Sequence, residues 1–232
     1  MIVSHKHKFI FIKPQKTAGT SVELLLSRIC GPDDIITPLG YDPDPNVREK
    51  NNAKQPQNFK RAKAFKEWEM RDVYYMVKKL KSPNQNYIEH LTAQQIKDYV
   101  GDDIWNSYYK ISIVRNPWDH AISMYEWMAK YNYEKVSSIS FEVFLREKYR
   151  LLWPFYSVNN IFDIDFMLRF ENLQDGINSL EEKFPLENLQ LPVTKNKVRK
   201  QKNFSDYFDT GTKDLVREQN LNIIERFSYS FP

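Results

Sequence analysis

The apolar run Phe9-Ile10-Phe11-Ile12 leads into Lys13-Pro14-Gln15-Lys16-Thr17-Ala18-Gly19-Thr20-Ser21. Behind it, Val22-Glu23-Leu24-Leu25-Leu26-Ser27-Arg28-Ile29 predicts a helix that Gly31-Pro32 ends. The run itself is rich in strand formers. Strand, tight polar loop and helix form the arrangement in which backbone N–H groups at a helix N-terminus point at an anion. Gly19 lets a ligand come close to the backbone. Lys16 adds a positive charge, and the hydroxyls of Thr17, Thr20 and Ser21 suit phosphate or sulfate oxygens. A nucleoside-triphosphate P-loop needs G-x-x-x-x-G-K-[ST], whereas Lys16 precedes the only glycine of this loop. The competing reading is an ordinary strand-to-helix turn with Thr20 or Ser21 as its N-cap. The rest of the chain has to decide between them.

With 232 residues, one domain over 1–232 is the expectation. A single cysteine, Cys30, forms no internal disulfide and falls at the apolar end of the first helix, as a core residue does. The net charge of +4 favours anionic ligands and is too small to argue for nucleic acid. Met1 to Lys8 is short and basic, with His5 and His7 read as solvated, and four apolar residues are too few for a signal-peptide core. No stretch approaches the ~20 apolar residues of a membrane span. A cytoplasmic protein without stable membrane insertion is therefore expected.

From Asp33 to about Gln57 the chain is rich in Pro, Asp and Asn and lacks sustained periodicity. Connections of that length are often lids or substrate-contacting segments, and residues 33–85 are read as such an insert. Lys60 to Met70 carries a basic and then an acidic run, by default a solvated helix face. Thr92 with Gln95 makes a capping box, which leaves Glu89 and His90 just outside a helix start. Tyr108 to Val114 is a second strong strand signal; it ends at Arg115-Asn116, and Pro117 suits the first position of the helix that follows. Arg115 thus stands at a strand's carboxyl end, where open α/β sheets place ligand contacts. A third strand is expected over Asp165–Phe170, a helix from Leu173 to about Lys183, and a last helix over about Thr212–Phe227. Strands alternating with helices imply an α/β layer fold around a mostly parallel sheet.

Three blocks in this order resemble the sulfotransferases that use 3′-phosphoadenosine 5′-phosphosulfate (PAPS), in particular the carbohydrate branch. Phe9 to Ser21 resembles their 5′-phosphosulfate loop. Ile113 to Tyr125, with Arg115 and Ser123 eight apart, resembles their 3′-phosphate motif, and Asp165 to Leu173 a third, structural block. Phe227-Ser228-Tyr229 is similar to an aromatic ending common there, with Ser228 where glycine is usual. The resemblance implies a three-layer, P-loop-NTPase-like α/β fold with a mostly parallel sheet flanked by helices. It implies that Lys16 and the amides and hydroxyls of Thr17, Ala18, Gly19, Thr20 and Ser21 hold the 5′-phosphosulfate, while Arg115 and Ser123 hold the 3′-phosphate. Lys197 and Arg199 match loosely a basic segment that closes over the cofactor, with a solvated turn as the alternative.

The implied reaction is in-line transfer of a sulfuryl group from PAPS to an acceptor hydroxyl, and the resemblance to the carbohydrate branch implies a glycan as its carrier. No metal is required. Lys16 would stabilise charge on the leaving phosphate oxygen, and a base would take the hydroxyl proton. His90 matches loosely the histidine that serves as base in some relatives; Glu89 is the alternative, and a histidine satisfied by local hydrogen bonds is the plain one. His120, inside the second motif, reads as structural or cofactor-adjacent. Two rivals remain: a P-loop kinase-like phosphotransferase, and a non-catalytic module that binds anionic glycans. Oligomeric state is not legible in the sequence.

Overall fold

A computed structural model describes residues 1–40, 44–63, 67–79, 86–186, 190–191 and 204–232. Lys197 and Arg199 lie outside the described residues. The chain opens with β1 (Ile2–Ser4) and β2 (Phe9–Phe11), followed by α1 (Gly19–Ser27) and the two-residue β3 (Ile35–Ile36). Next come α2 (Val47–Lys50), α3 (Met70–Lys79), α4 (Ala93–Val100) and α5 (Asp102–Ser107). Strand β4 (Tyr109–Val114) then feeds α6 (Pro117–Lys130), and α7 (Phe141–Glu147) precedes a small hairpin of β5 (Ser157–Val158) and β6 (Ile161–Phe162). The described chain closes with β7 (Phe166–Arg169), α8 (Leu173–Leu180), α9 (Thr210–Gln219) and α10 (Leu221–Phe227).

The central sheet has the order β3-β1-β2-β4-β7. β4 pairs in parallel with both β2 and β7, and β1 pairs antiparallel with both β2 and β3. Four strands therefore run one way and β1 alone runs against them. Side chains alternate across the sheet as the period of two demands. Phe9 and Phe11 pack with Val22, Leu25 and Leu26 of α1 and with Ile177 and Leu180 of α8. Ile10 and Ile12 pack on the other face with Ile96 of α4, Trp105 of α5 and Ile223 of α10. The sheet is thus the middle of three layers. All nine residues of α1 are buried: the aliphatic Val22 and Leu24–Leu26, the small or hydroxylated Gly19, Thr20, Ser21 and Ser27, and Glu23, which is ion-paired.

The structure corrects two expectations. Met1–Lys8 is no solvated tail, because Ile2–Ser4 is a fully buried strand. His5 Nδ1 lies 2.8 Å from the Tyr108 hydroxyl and His7 Nε2 lies 3.0 Å from the Ile29 carbonyl oxygen. Three apolar-polar residues are too few for periodicity to show; neighbours on both sides make the strand. The last helix is two, α9 and α10, broken at Asn220, whose side-chain amide donates to the Val216 carbonyl. Such a side-chain-to-backbone bond competes with the helix ladder. Within the 33–85 connection, Ile35–Ile36 joins the sheet as an edge strand and Gln57 bridges to Ile36. Arg48 of α2 reaches down to the buried Glu23 of α1 at 2.5 Å.

Candidate functional site

β2 and β4 are parallel neighbours, so their carboxyl ends lie side by side and the turns that follow them leave the sheet at one edge. In the first turn, Lys16 (φ 58°) and Ala18 (φ 61°) adopt left-handed backbone, an uncommon and costly conformation for residues with a Cβ. Ala18 also occupies the N-cap of α1, where it has no side-chain acceptor to offer. The backbone amides of Thr17, Ala18, Gly19 and Thr20 meet no acceptor among the described residues. Gly19 is required by space: a Cβ there would stand 2.6 Å from Lys13 Cγ.

Four consecutive carbonyls of this turn are held from behind. The Lys13 oxygen accepts from His90 Nδ1 (2.8 Å) and the Pro14 oxygen from the Thr17 hydroxyl (3.0 Å). The Gln15 oxygen accepts from His120 Nε2 (3.0 Å) and the Lys16 oxygen from Arg115 Nη1 (2.6 Å). A trans peptide is planar, so holding the oxygens of Pro14, Gln15 and Lys16 on one side turns the N–H groups of Gln15, Lys16 and Thr17 to the other, while Pro14 has no N–H to turn. The Thr17 hydroxyl, read from the sequence as an anion donor, instead gives its proton to Pro14; its amide is the group left facing outward.

Arg115 is 7% exposed and joins the two turns directly. Besides Lys16 it bonds Asp119 Oδ2 through Nε at 2.6 Å, and its guanidinium lies 4.0 Å from the Phe170 ring centroid. Glu171 accepts from the Asn116 amide at 2.7 Å and from the Tyr229 hydroxyl at 2.9 Å. The third sequence block and the aromatic C-terminus therefore buttress the Arg115 turn. Ser228 there has φ 54°, a backbone that glycine adopts without strain. Asn116 caps α6 through Trp118 N, and Pro117 opens it. Along α6, Asp119, Ser123 and Trp127 are spaced by four and share a face. Lys16 Nζ stands 5.7 Å from the Trp127 ring centroid, so this face borders the loop. Ser123 is half-buried and its hydroxyl has no partner among the described residues.

His90 sits in the turn before the Thr92 cap of α4. A carbonyl only accepts, so the bond to Lys13 O puts the proton on Nδ1 and leaves the Nε2 lone pair outward. Burial, against the opposing pull of Glu89, lowers its pKa from 6.5 to about 4, and Lys13 adds to the drop. The ring is neutral at pH 7. Glu89 Oε1 lies 3.5 Å from Nε2 and accepts the Gly40 amide at 2.8 Å, which brings the 33–85 connection to this point. The other Glu89 oxygen accepts from Lys13 Nζ at 2.6 Å, and Glu23 holds the same ammonium at 3.1 Å. Burial works to raise the Glu23 pKa, yet the charges of the Met1 amine, Lys13 and Arg48 bring it down to about 2.

A model described as Sulfotransferase family matches residues 1–227. The chain belongs to that family. Comparison with curated proteins and comparison with solved structures each return no match. As a sulfotransferase it carries Lys16, Thr17, Ala18, Gly19, Thr20, Ser21, Arg115, Ser123 and His90 around one edge of its sheet. The described residues contain no group of three or more metal-ligating side chains. None of their helices is long and apolar enough to cross a membrane. A cleft of about 500 Å³ lined by Lys8, Tyr109, Lys110, Asp165 and Lys183 opens at the amino ends of the strands, the edge opposite to the site. Sequence reasoning passed over Lys13, Asp119, Trp127 and Phe170. Only the spacing of four in Arg115-Asp119-Ser123-Trp127 could have pointed to two of them.

Proposed function

We propose that this sulfotransferase moves a sulfuryl group from PAPS to a hydroxyl, with a carbohydrate as the acceptor. The observation that carries the reading is the 2.6 Å bond from Arg115 Nη1 to the Lys16 carbonyl, which holds two anion-suited turns from distant parts of the sequence at one edge. The residues fit such a donor: outward amides at the start of α1, the Lys16 ammonium, and a guanidinium within reach of the same loop. PAPS supplies, when bound, an activated sulfuryl group on a phosphate leaving group.

In this reading the amides of Thr17 to Thr20, with the hydroxyls of Thr20 and Ser21, hold the 5′-phosphosulfate. Lys16 stabilises negative charge on the leaving oxygen, and Arg115 with Ser123 takes the 3′-phosphate. His90 Nε2 accepts the acceptor's hydroxyl proton, and Glu89, 3.5 Å away, stabilises the imidazolium that results. The 33–85 connection, anchored through Gly40 beside that dyad, forms the acceptor side. A carbohydrate acceptor rests on the resemblance of the motifs to that branch.

Calorimetry with 3′-phosphoadenosine 5′-phosphate (PAP) against ATP tests the donor. PAP should bind at least tenfold more tightly; equal or tighter binding of ATP favours a kinase-like phosphotransferase. Transfer of labelled sulfate from PAPS to a panel of glycans then separates an enzyme from a glycan-binding module.

A further inference from the structure

His120 is fully buried, at a position the mechanism above does not use. Its two ring nitrogens are both engaged: Nε2 with the Gln15 carbonyl and Nδ1 with the Tyr149 hydroxyl, each at 3.0 Å. The carbonyl can only accept, so Nε2 carries the proton and Nδ1 accepts from the Tyr149 O–H. The Gln15 carbonyl thus fixes the tautomer of a histidine on α6, and Tyr149, two residues past α7, completes the arrangement by donating to Nδ1, with the Pro117 carbonyl 3.5 Å from the same hydroxyl.

The peptide that His120 holds joins Gln15 to Lys16. Its carbonyl and the Lys16 amide point in opposite directions. Lys16 has φ 58° and Ala18 φ 61°, so the loop sits in a conformation that glycine would take and these residues resist. Rotation of the peptide would swing a carbonyl oxygen toward the place where the anion's oxygens belong. A buried donor at Gln15 O opposes that rotation, because turning away would leave both the carbonyl and the imidazole N–H unsatisfied.

We propose that His120, held in place by Tyr149, is a positioning residue that keeps the Gln15–Lys16 peptide turned, so that the Gln15 carbonyl oxygen stays away from the place of the donor's 5′ anion. The inference rests on the assignment of this loop to PAPS. Neither residue touches the donor.

The experiment measures PAP binding by calorimetry, thermal melting, and sulfuryl-transfer kinetics for the wild type, His120→Phe, His120→Gln and Tyr149→Phe. Failure of the wild type to bind PAP would refute the donor assignment itself, before any variant is considered. With the wild type binding, His120→Phe keeps the bulk and loses the donor, and PAP affinity should fall at least tenfold. His120→Gln retains an N–H able to reach Gln15 O and should recover most of that loss. Tyr149→Phe removes the hydroxyl that holds Nδ1 and should weaken PAP about two- to fivefold. A purely packing role would make affinity track the melting temperature across the set, with no rescue by glutamine. Affinity unchanged in folded His120→Phe, or glutamine no better than phenylalanine, would overturn the proposal. If His120→Phe does not fold, Tyr149→Phe decides, and unchanged affinity in that variant overturns it equally.

Discussion

Gly19→Ala adds one methyl group at the point where loop and helix meet, and its cost can be worked from the structure. The new Cβ would stand 2.6 Å from Lys13 Cγ, about 1 Å inside ordinary carbon–carbon contact. A lysine stem at the surface would swing aside. Lys13 cannot do so freely: it is 2% exposed, and its ammonium is held by Glu89 at 2.6 Å and Glu23 at 3.1 Å. Either those ion pairs lengthen or the start of α1 moves. Overpacking of this kind costs ~1–3 kcal/mol. Taking ~2 kcal/mol, melting should fall by ~4–8 °C for a chain of this size. Gly211→Ala is the control: in the first turn of α9 its Cβ meets only Asp209 Oδ1 at 3.7 Å, and melting should hold or rise slightly. Because the Lys13 carbonyl also holds His90, Gly19→Ala should slow transfer as well. Paired thermal and urea denaturation checks the stability, and PAPS turnover the coupling. A Gly19→Ala protein that melts within about 1 °C of wild type would refute the claim that the Lys13 stem is immobile.

Arg115→Ala should weaken PAP by ~1.5–3 kcal/mol in calorimetry, the usual range for a hydrogen bond to a charged group; an unchanged affinity removes Arg115 from the site. His90→Ala should lower kcat far more than it weakens PAP binding, and the wild-type kcat/KM should stay level on the acid side to well below pH 6.5, since burial holds the ring's pKa at about 4. Full turnover in the variant places the base elsewhere. Stability has a sign that can be checked too. Burial first, then the neighbouring Arg115 charge, lowers His120 to about 3, so the folded protein keeps both rings neutral where the unfolded chain binds protons. Their contribution is complete above pH 6.5 and declines as pH falls through 6.5 toward 3–4. At pH 4.5 the loss should be roughly 2–5 kcal/mol for the pair, read by urea denaturation against pH 7.5. His120→Gln should show a shallower decline, and an identical slope would count against the buried neutral ring.

Much of the frame was legible because it is local. The strands at Phe9–Phe11, Tyr109–Val114 and Phe166–Arg169, the cap at Thr92 and the start of α6 at Pro117 follow from residue types a few positions apart. The break at Asn220 was hidden because the helical pattern continues across it. Strand β1 was hidden by its brevity. The roles of Phe170 and Glu171 depend on β7 lying beside β4, which no short window reveals.

The order of residues alone determined that Lys16 and Gly19 stand between a strand and a helix, and that Arg115 stands at the end of another strand. It also carried the family's blocks in sequence. Only the folded chain decided that those two turns share an edge. It also decided which way the peptides of the loop face, through His90, His120 and Arg115 at separations of 77, 105 and 99 residues. The reason is physical: propensity and periodicity act over a few residues, whereas the direction of an N–H is set by whatever accepts or donates on the other side of its peptide, and here those groups arrive from strands and helices that meet only when the sheet assembles.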